Sequence, residues 1–288
     1  MKGCWPIRAM CRVLDVSESG YYSWQAAGGV PRGRRLPDEP LLVHIRAIHR
    51  EVKGEYGWPR IHQELQRRGL RVGKERVRRL MKTHGIRARS KRKFVSTTDS
   101  RHALPLAPNL VQRQFNPPAP DQTWCGDITY LPTEQGWLYL AAVIDLFSRK
   151  IVGWSLKSHM QTSLVKDALT MAYLRRRPGA GLIFHSDRGS QYCSHEFQQT
   201  LQQWQIRSSM SRKGDCWDNA PAESLWARLK LACLDGRKFR FRSHQAAREA
   251  VMDWISFYNH RRLHSALGYT SPMEYENHWH ANQHKIAA

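Results

Sequence analysis

No apolar run in this chain is long enough to cross a bilayer: that takes about 20 residues, and the longest stretch, residues 138–144, is strand-sized. An apolar leader is missing as well. The opening Met1-Lys-Gly-Cys-Trp-Pro6 carries no signal-like segment, so the expected location is the cytosol. Cysteine is sparse and scattered. Cys4, Cys11, Cys125, Cys193, Cys216 and Cys233 include no C-x-x-C pair, which argues against a zinc ribbon and against a disulfide framework. The 14 histidines fall in neither an H-E-x-x-H nor a finger pattern. Acidic residues are few, 24 against 46 Lys and Arg, for a net charge of +22.

What the chain does have is a core-forming composition and an uneven charge. Its 288 residues are 41% hydrophobic and 10% aromatic, too apolar for a disordered chain. At a prior of about 150 residues per domain, the length fits roughly two domains. Residues 1–110 hold 24 basic and 9 acidic residues, net +15, whereas the remainder holds 22 and 15, net +7. Such a field attracts phosphate backbones, and nucleic acid is the partner it favours. A merely soluble basic protein is the plainer alternative.

Residues 1–30 show two short helical patterns around a turn at residues 16–20, a helix-turn-helix-like segment, and the stretch around Gly28-Gly-Val-Pro-Arg-Gly33 is a linker. Residues 40–86 are expected to form three helices, a helix-turn-helix DNA-binding unit. Pro59 suits a helix start, and Val77, Leu80 and Met81 make the buried stripe of the last helix. That stripe leaves Lys74, Arg76, Arg78, Arg79 and Lys82 on the surface, as a solvated face or as contacts of a recognition helix in a major groove. Residues 87–120, basic and then Pro-rich, are expected to be an extended connector lying along nucleic acid.

From residue 121 to 276 the pattern is α/β. Strands are expected at residues 124–130, 137–145 and 150–156, a helix at 162–176, a strand at 182–184, a helix at 195–204, a short strand at 206–210, and helices at 220–233 and 243–260. Three consecutive strands followed by alternating helix and strand describe a mixed sheet flanked by helices.

Three carboxylates stand at the ends of these elements: Asp127, Asp187 and, after 35 intervening residues, Glu223. Hard oxygen ligands of this kind suit Mg²⁺ or Mn²⁺. Two such ions, about 3.5–4 Å apart, can activate a water or a 3′-hydroxyl and stabilise the leaving oxygen of a phosphodiester. Carboxylate triplets are common, though, and most are caps and surface charges. Asp145 is a rival, read as structural and paired with Arg149, while Asp215 and Asp218 compete with Glu223.

The motifs narrow the choice. Trp124-Cys-Gly-Asp-Ile-Thr-Tyr130, Val143-Ile-Asp-Leu-Phe-Ser-Arg-Lys-Ile-Val-Gly-Trp154, His185-Ser-Asp-Arg-Gly-Ser-Gln-Tyr192 and Asp218-Asn-Ala-Pro-Ala-Glu-Ser-Leu-Trp226 resemble the integrase core of bacterial insertion-sequence transposases. So does Phe257-Tyr-Asn-His-Arg-Arg-Leu-His-Ser-Ala-Leu-Gly-Tyr269. Together with Cys11-Arg-Val-Leu-Asp-Val-Ser17 and Tyr56-Gly-Trp-Pro-Arg-Ile-His62, they resemble the second-reading-frame (OrfB) product of the IS-three family over nearly the whole chain.

That resemblance implies a ribonuclease H-like fold with an Asp–Asp–Glu triad, carried here by Asp127, Asp187 and Glu223, and two Mg²⁺ (or Mn²⁺) ions. It implies DNA transposition, with strand cleavage at the 3′ end of an element and strand transfer into target DNA. It also implies a basic residue two helical turns after the glutamate, which is Lys230, expected with Asn219 to touch the DNA end. His185 and Gln191 flank Asp187, as support for it or simply as packing. Expected partners are duplex DNA of the transposon ends and target, further copies of the chain, and the product of the upstream reading frame, fused or added in trans. The expected setting is the bacterial nucleoid. A DNA-binding regulator without catalysis and a ribonuclease H- or resolvase-like nuclease are the competing readings.

Overall fold

Alternation along residues 136–145 decides the layout of the larger half. In a computed structural model, which describes residues 6–26, 36–89, 104–212, 216–234 and 240–287, this segment is a strand whose two faces are both covered. The elements in order are α1 (Ile7–Val13), α2 (Glu18–Ala26), α3 (Asp38–Glu51), α4 (Trp58–Arg67), α5 (Lys74–Thr83), β1 (Thr123–Thr133), β2 (Gly136–Asp145) and β3 (Ile151–Lys157). They continue with α6 (Thr162–Arg176), β4 (Ile183–Ser186), α7 (Ser190–Cys193), α8 (His195–Gln203), β5 (Arg207–Met210), α9 (Ala220–Cys233), α10 (His244–His260) and α11 (Pro272–Ala287). No helix among the described residues is long and apolar enough to cross a membrane.

The strands form one sheet in the order β3-β2-β1-β4-β5. β1, β2 and β3 are an antiparallel meander, and β4 and β5 run parallel to β1. Because side chains alternate across a strand, Leu138, Leu140, Ala142 and Ile144 of β2 enter the core beneath α9 and α10, whereas Ala141 and Val143 enter the core beneath α6 and α8. Double coverage is why this segment is an almost continuous apolar run. On the α6 side the approach is close: a Cβ on Gly153 of β3 would stand 2.2 Å from the Ala168 carbonyl oxygen. This is the α/β, ribonuclease H-like arrangement, preceded by a helical unit.

That unit, α3 to α5, has its own apolar cluster of Leu41, Ile45, Ile48, Ile61, Leu65, Val77, Leu80 and Met81. One member comes from far away in sequence, since Leu263 is fully buried in the same cluster. Around it the two halves are stitched by polar contacts. Glu55 accepts hydrogen bonds from Arg262 Nε (3.1 Å) and Trp254 Nε1 (3.2 Å). The Tyr56 hydroxyl accepts from the Leu263 amide at 2.8 Å, and Arg60 Nε donates to the Leu263 carbonyl at 2.8 Å. Arg67 pairs with Glu274. The Tyr56–His62 and Phe257–Tyr269 motifs thus meet each other.

Several sequence expectations need correction. The second helix of the N-terminal hairpin starts at Glu18 instead of after residue 20, with Ser17 Oγ accepting the Gly20 amide (3.1 Å). Residues 104–120 are not a free connector: Val111 is buried, Leu110 N donates to Ser209 Oγ, and Arg113 pairs with Asp218. Their anchors are polar, so a Pro-rich composition hid them. The rest of that connector, residues 90–103, and most of the linker at 27–35 lie outside the described residues. Asp145 is structural, but its carboxylate is held by the Asp121, Phe147 and Ser148 amides (2.7–3.0 Å), while Arg149 bonds to Asn116. Residues 277–287, which carry no readable pattern, belong to α11, anchored by buried Glu276 to Ser148, Lys150 and Arg176.

Breaking one partner of a buried ion pair strands the other charge, at a cost of about 3–5 kcal/mol. Arg262→Met is therefore expected to lower unfolding stability by about that amount in urea denaturation, and Glu55→Gln added to it should recover most of the loss. A double variant as unstable as the single one would show that the pair does not bind the halves together.

Candidate active site

The site begins with strand register. The last rung between parallel β1 and β4 pairs Cys125 with His185. Two residues onward in each segment come Asp127 and Asp187, where the strands part. Two residues is one strand repeat, so Asp127 points to the same face as Cys125, toward α9. Gly126 between them cannot be larger, because a Cβ there would lie 2.3 Å from the Phe184 ring.

Asp127 is then fixed from both sides. Its Oδ1 accepts from the Ile128 amide (2.8 Å) and its Oδ2 from Trp226 Nε1 (2.9 Å). Burial, the negative charge of Asp187 and, more weakly, that of Glu223 push its pKa up to about 8, against the ordinary 3.8. Asp187 Oδ1 accepts the Gly189 amide at 3.0 Å. Glu223, its residue surface exposed, lies in the first turn of α9, its pKa raised by partial desolvation of the carboxylate. Among the described residues, no three His, Cys, Asp or Glu side chains are gathered closely enough to hold a metal ion. Asp127 and Asp187 are in electrostatic contact, and Glu223 stands apart from a closed set.

Chemically, the pair still fits a divalent cation. Two hard anionic oxygen donors that repel each other are what Mg²⁺ or Mn²⁺ neutralises. Lys230, two turns after Glu223, places its ammonium 4.5 Å from the Tyr130 ring centroid. Burial lowers its pKa to about 8, partly offset by the charge of Asp127.

Other predicted positions turn out to support α9. His185 is fully buried, and burial lowers its pKa, so it is neutral. Its Nε2 lies 2.9 Å from the Asp218 carbonyl, which can only accept, so the proton sits on Nε2. Nδ1 then accepts from Ser209 Oγ at 2.9 Å. Asn219 is buried, its Oδ1 accepting from the Cys125 thiol at 3.1 Å. The Asp218 carboxylate is ringed by Arg212, Arg113 and Asn109, and the hydrogen bonds from Arg212 and then Arg113 hold it far below the usual carboxylate range. Its oxygens are taken, so it is no rival to Glu223. Asp215 lies outside the described residues. Gln191 bonds outward to the Met160 carbonyl. Trp226 was missed from the sequence, although its place three residues after Glu223 sets it on the same helix face.

On α5 the basic residues divide. Arg76 and Arg79 both clamp Asp38 (2.6 and 2.7 Å), and Arg76 also donates to the Leu36 carbonyl. Arg78 leans on Glu75 at 3.3 Å, and Lys74 and Lys82 are exposed.

A sheet with paired carboxylates where its parallel strands separate is the architecture of an integrase core. Family models of that name match residues 117–216 and 191–272, and a helix-turn-helix-like domain model matches residues 36–94. The "Insertion element IS600 uncharacterized 31 kDa protein" of Shigella sonnei is 43% identical over 94% of this chain and 98% of its own. "Transposase InsF for insertion sequence IS3A" of Escherichia coli (strain K12) is 41% identical over 94% of each. The magnesium-bound catalytic core of HTLV-2 integrase shows a distant likeness, with 18% identity and a TM-score of 0.42 over 55% of this chain and 98% of that one. The assignment rests on the closer relatives: the chain belongs to the IS-three family of insertion-sequence transposases. It is a polynucleotidyl transferase-type protein of DNA transposition and integration.

Because folding raises the Asp127 pKa, the folded chain keeps a proton that the unfolded chain releases between pH 3.8 and about 8. The metal-free protein must therefore lose stability as pH rises through that window. Asp127→Asn is expected to melt several degrees above wild type at pH 8 in EDTA, with the gap closing toward pH 4. Coincident melting curves at pH 8 in scanning fluorimetry would count against this electrostatic account.

Proposed function

We propose that this chain is an Asp–Asp–Glu transposase that cuts the 3′ ends of an insertion sequence and joins them to target DNA. The observation that carries the reading is the Asp127–Asp187 pair, held across adjacent parallel strands and clamped by Trp226 from the helix that bears Glu223. Asp127, Asp187 and Glu223 would hold Mg²⁺ or Mn²⁺, as two ions. When bound, these ions activate the attacking oxygen and neutralise charge on the leaving one.

The chain's own residues do the positioning. Trp226 and the Ile128 amide orient both oxygens of Asp127, and the His185 and Asn219 contacts fix the turn that starts α9. Glu223, itself exposed in the first turn of α9, would supply the third carboxylate of the set. Lys230 remains largely cationic at neutral pH and faces the DNA end from the same helix. First, water adds to the phosphorus at the element's end, releasing a 3′-hydroxyl on the element and a 5′-phosphate on the flank. That hydroxyl then attacks a phosphodiester of the target, and the target strand leaves with its own 3′-hydroxyl. No side chain becomes joined to DNA. Lys74, Arg78 and Lys82, with Arg76 and Arg79 once released from Asp38, contact the duplex through its phosphates. The working assembly is more than one copy of the chain, with the upstream reading-frame product as partner.

End cleavage and strand joining on terminal-repeat DNA, compared in Mg²⁺, Ca²⁺ and EDTA, test this proposal. Wild type should join strands only in Mg²⁺, whereas Asp187→Ala and Glu223→Gln should bind the ends and lose cleavage by at least 100-fold, about 2.7 kcal/mol of barrier. Binding without any cutting, with the upstream product supplied, would make the chain a DNA-binding regulator.

A further inference from the structure

Beside the seam between the helical unit and the core lies a cavity of about 370 Å³, lined by Arg60, Arg89, Arg228, Glu55, Ser265 and Tyr269, among others. Its charge is unbalanced. Both oxygens of Glu55, the one carboxylate in the lining, are engaged by Arg262 and Trp254. Arg60 and Arg89 each spend one donor on a backbone carbonyl, Leu263 and Leu231 respectively. Among the described residues the Arg228 guanidinium makes no hydrogen bond or ion pair. Arg262 is 1% exposed, and its second terminal nitrogen is buried with no partner.

We propose that this cavity is an anion site that seats one phosphate of the DNA backbone between Arg60, Arg89 and Arg228. The proposal rests on the DNA-acting reading above and adds a contact to it. Three observations support it. First, the guanidiniums are held together against their mutual repulsion: burial and the charge of Arg262 lower Arg60 to about 10 and also lower Arg228. Both stay cationic at neutral pH, and an incoming phosphate relieves the repulsion while meeting planar donors suited to its oxygens. Secondly, Arg89 also lines a neighbouring cavity of about 450 Å³ with Arg46, Arg50, Lys53 and Arg87, and no acidic residue lines it. The two make one basic path. Thirdly, the path ends on α9. Arg228 is five residues from Glu223, about 7.5 Å along the helix axis and about 140° around it at 1.5 Å and 100° per residue. A phosphate held there would fix a strand on the seam side of the helix that bears Glu223.

Arg228→Gln is the test variant, because Arg228 anchors nothing else among the described residues. Two measurements are needed. In the first, the melting temperature of the full chain is followed in inorganic phosphate and in chloride at equal ionic strength. Wild type should be stabilised by phosphate, Arg228→Gln should not, and Arg228→Lys should recover part of the shift. In the second, binding of duplex end DNA is titrated against salt in EDTA. Arg228→Gln should weaken binding about tenfold and flatten the log–log salt slope by about one. A Lys74→Gln/Lys82→Gln variant should lose DNA affinity and keep its phosphate response. If Arg228→Gln matches wild type in both measurements, the site is overturned. A phosphate response without an effect on DNA binding would make it a site for free phosphate only, overturning the DNA assignment. A phosphate response in a wild type that binds no DNA would leave the anion site standing and sink the functional reading.

Discussion

Two carboxylates held side by side, each opposing the other's ionisation, set the terms for the rest of this molecule. Asp127 and Asp187 are carried on neighbouring parallel segments whose last paired rung is Cys125–His185, Asp127 inside β1 and Asp187 one residue past the end of β4. Rigidity is what makes the repulsion useful. A flexible pair would separate and lose its appetite for a cation, whereas a pair locked by β-pairing and by Trp226 keeps it. The surrounding polar contacts serve this end. His185 is neutral and ties β4 and β5 to the turn before α9, and Asn219 ties the same turn to Cys125 in β1. The third carboxylate is thereby tethered to the two strands that carry the others, its own side chain exposed in the first turn of α9.

A second constraint joins the charge-rich N-terminal helices to the chemistry. Glu55 and Arg262 are both buried and are paired with each other in a seam that also carries Trp254 and Tyr56. The consequence is mechanical. The helical unit is held in a fixed relation to α9, because Arg60 and Leu263 are bonded across the boundary and Arg89 reaches the Leu231 carbonyl. Grip and chemistry are not two modules on a loose string at this point of the fold.

How much of this the sequence shows depends on what kind of force is at work. Apolar periodicity placed the strands within a few residues, and it placed α6 and α9 at Thr162–Arg176 and Ala220–Cys233, with Pro221 fixing the latter's start. Motif order singled out Asp127, Asp187 and Glu223. What stayed hidden was long-range and polar. Asp38 neutralising Arg76 and Arg79 on another helix, Asp218 gathering Arg113 and Arg212, and backbone amides holding Asp145 leave no periodic trace. The same is true of α11, whose buried Glu276 carboxylate pairs with Lys150 and Arg176. Trp226 was legible in principle by its helical offset from Glu223, had the helix face been followed beyond the charged residues.

Leu263 gives the fold a schedule. The apolar cluster of α3 to α5 is capped by a residue that the ribosome adds about 10–40 s after Tyr56, at the usual 5–20 residues per second. Until then the most basic third of the chain has an unfinished interior and an uncovered Glu55. A peptide released early would carry the positive charge without the closed core, and would be a ready target for proteolysis. Only a chain that has been read almost to its end can close the core of its N-terminal helices, so the order of synthesis leaves that basic unit unfinished until the α/β half has been made.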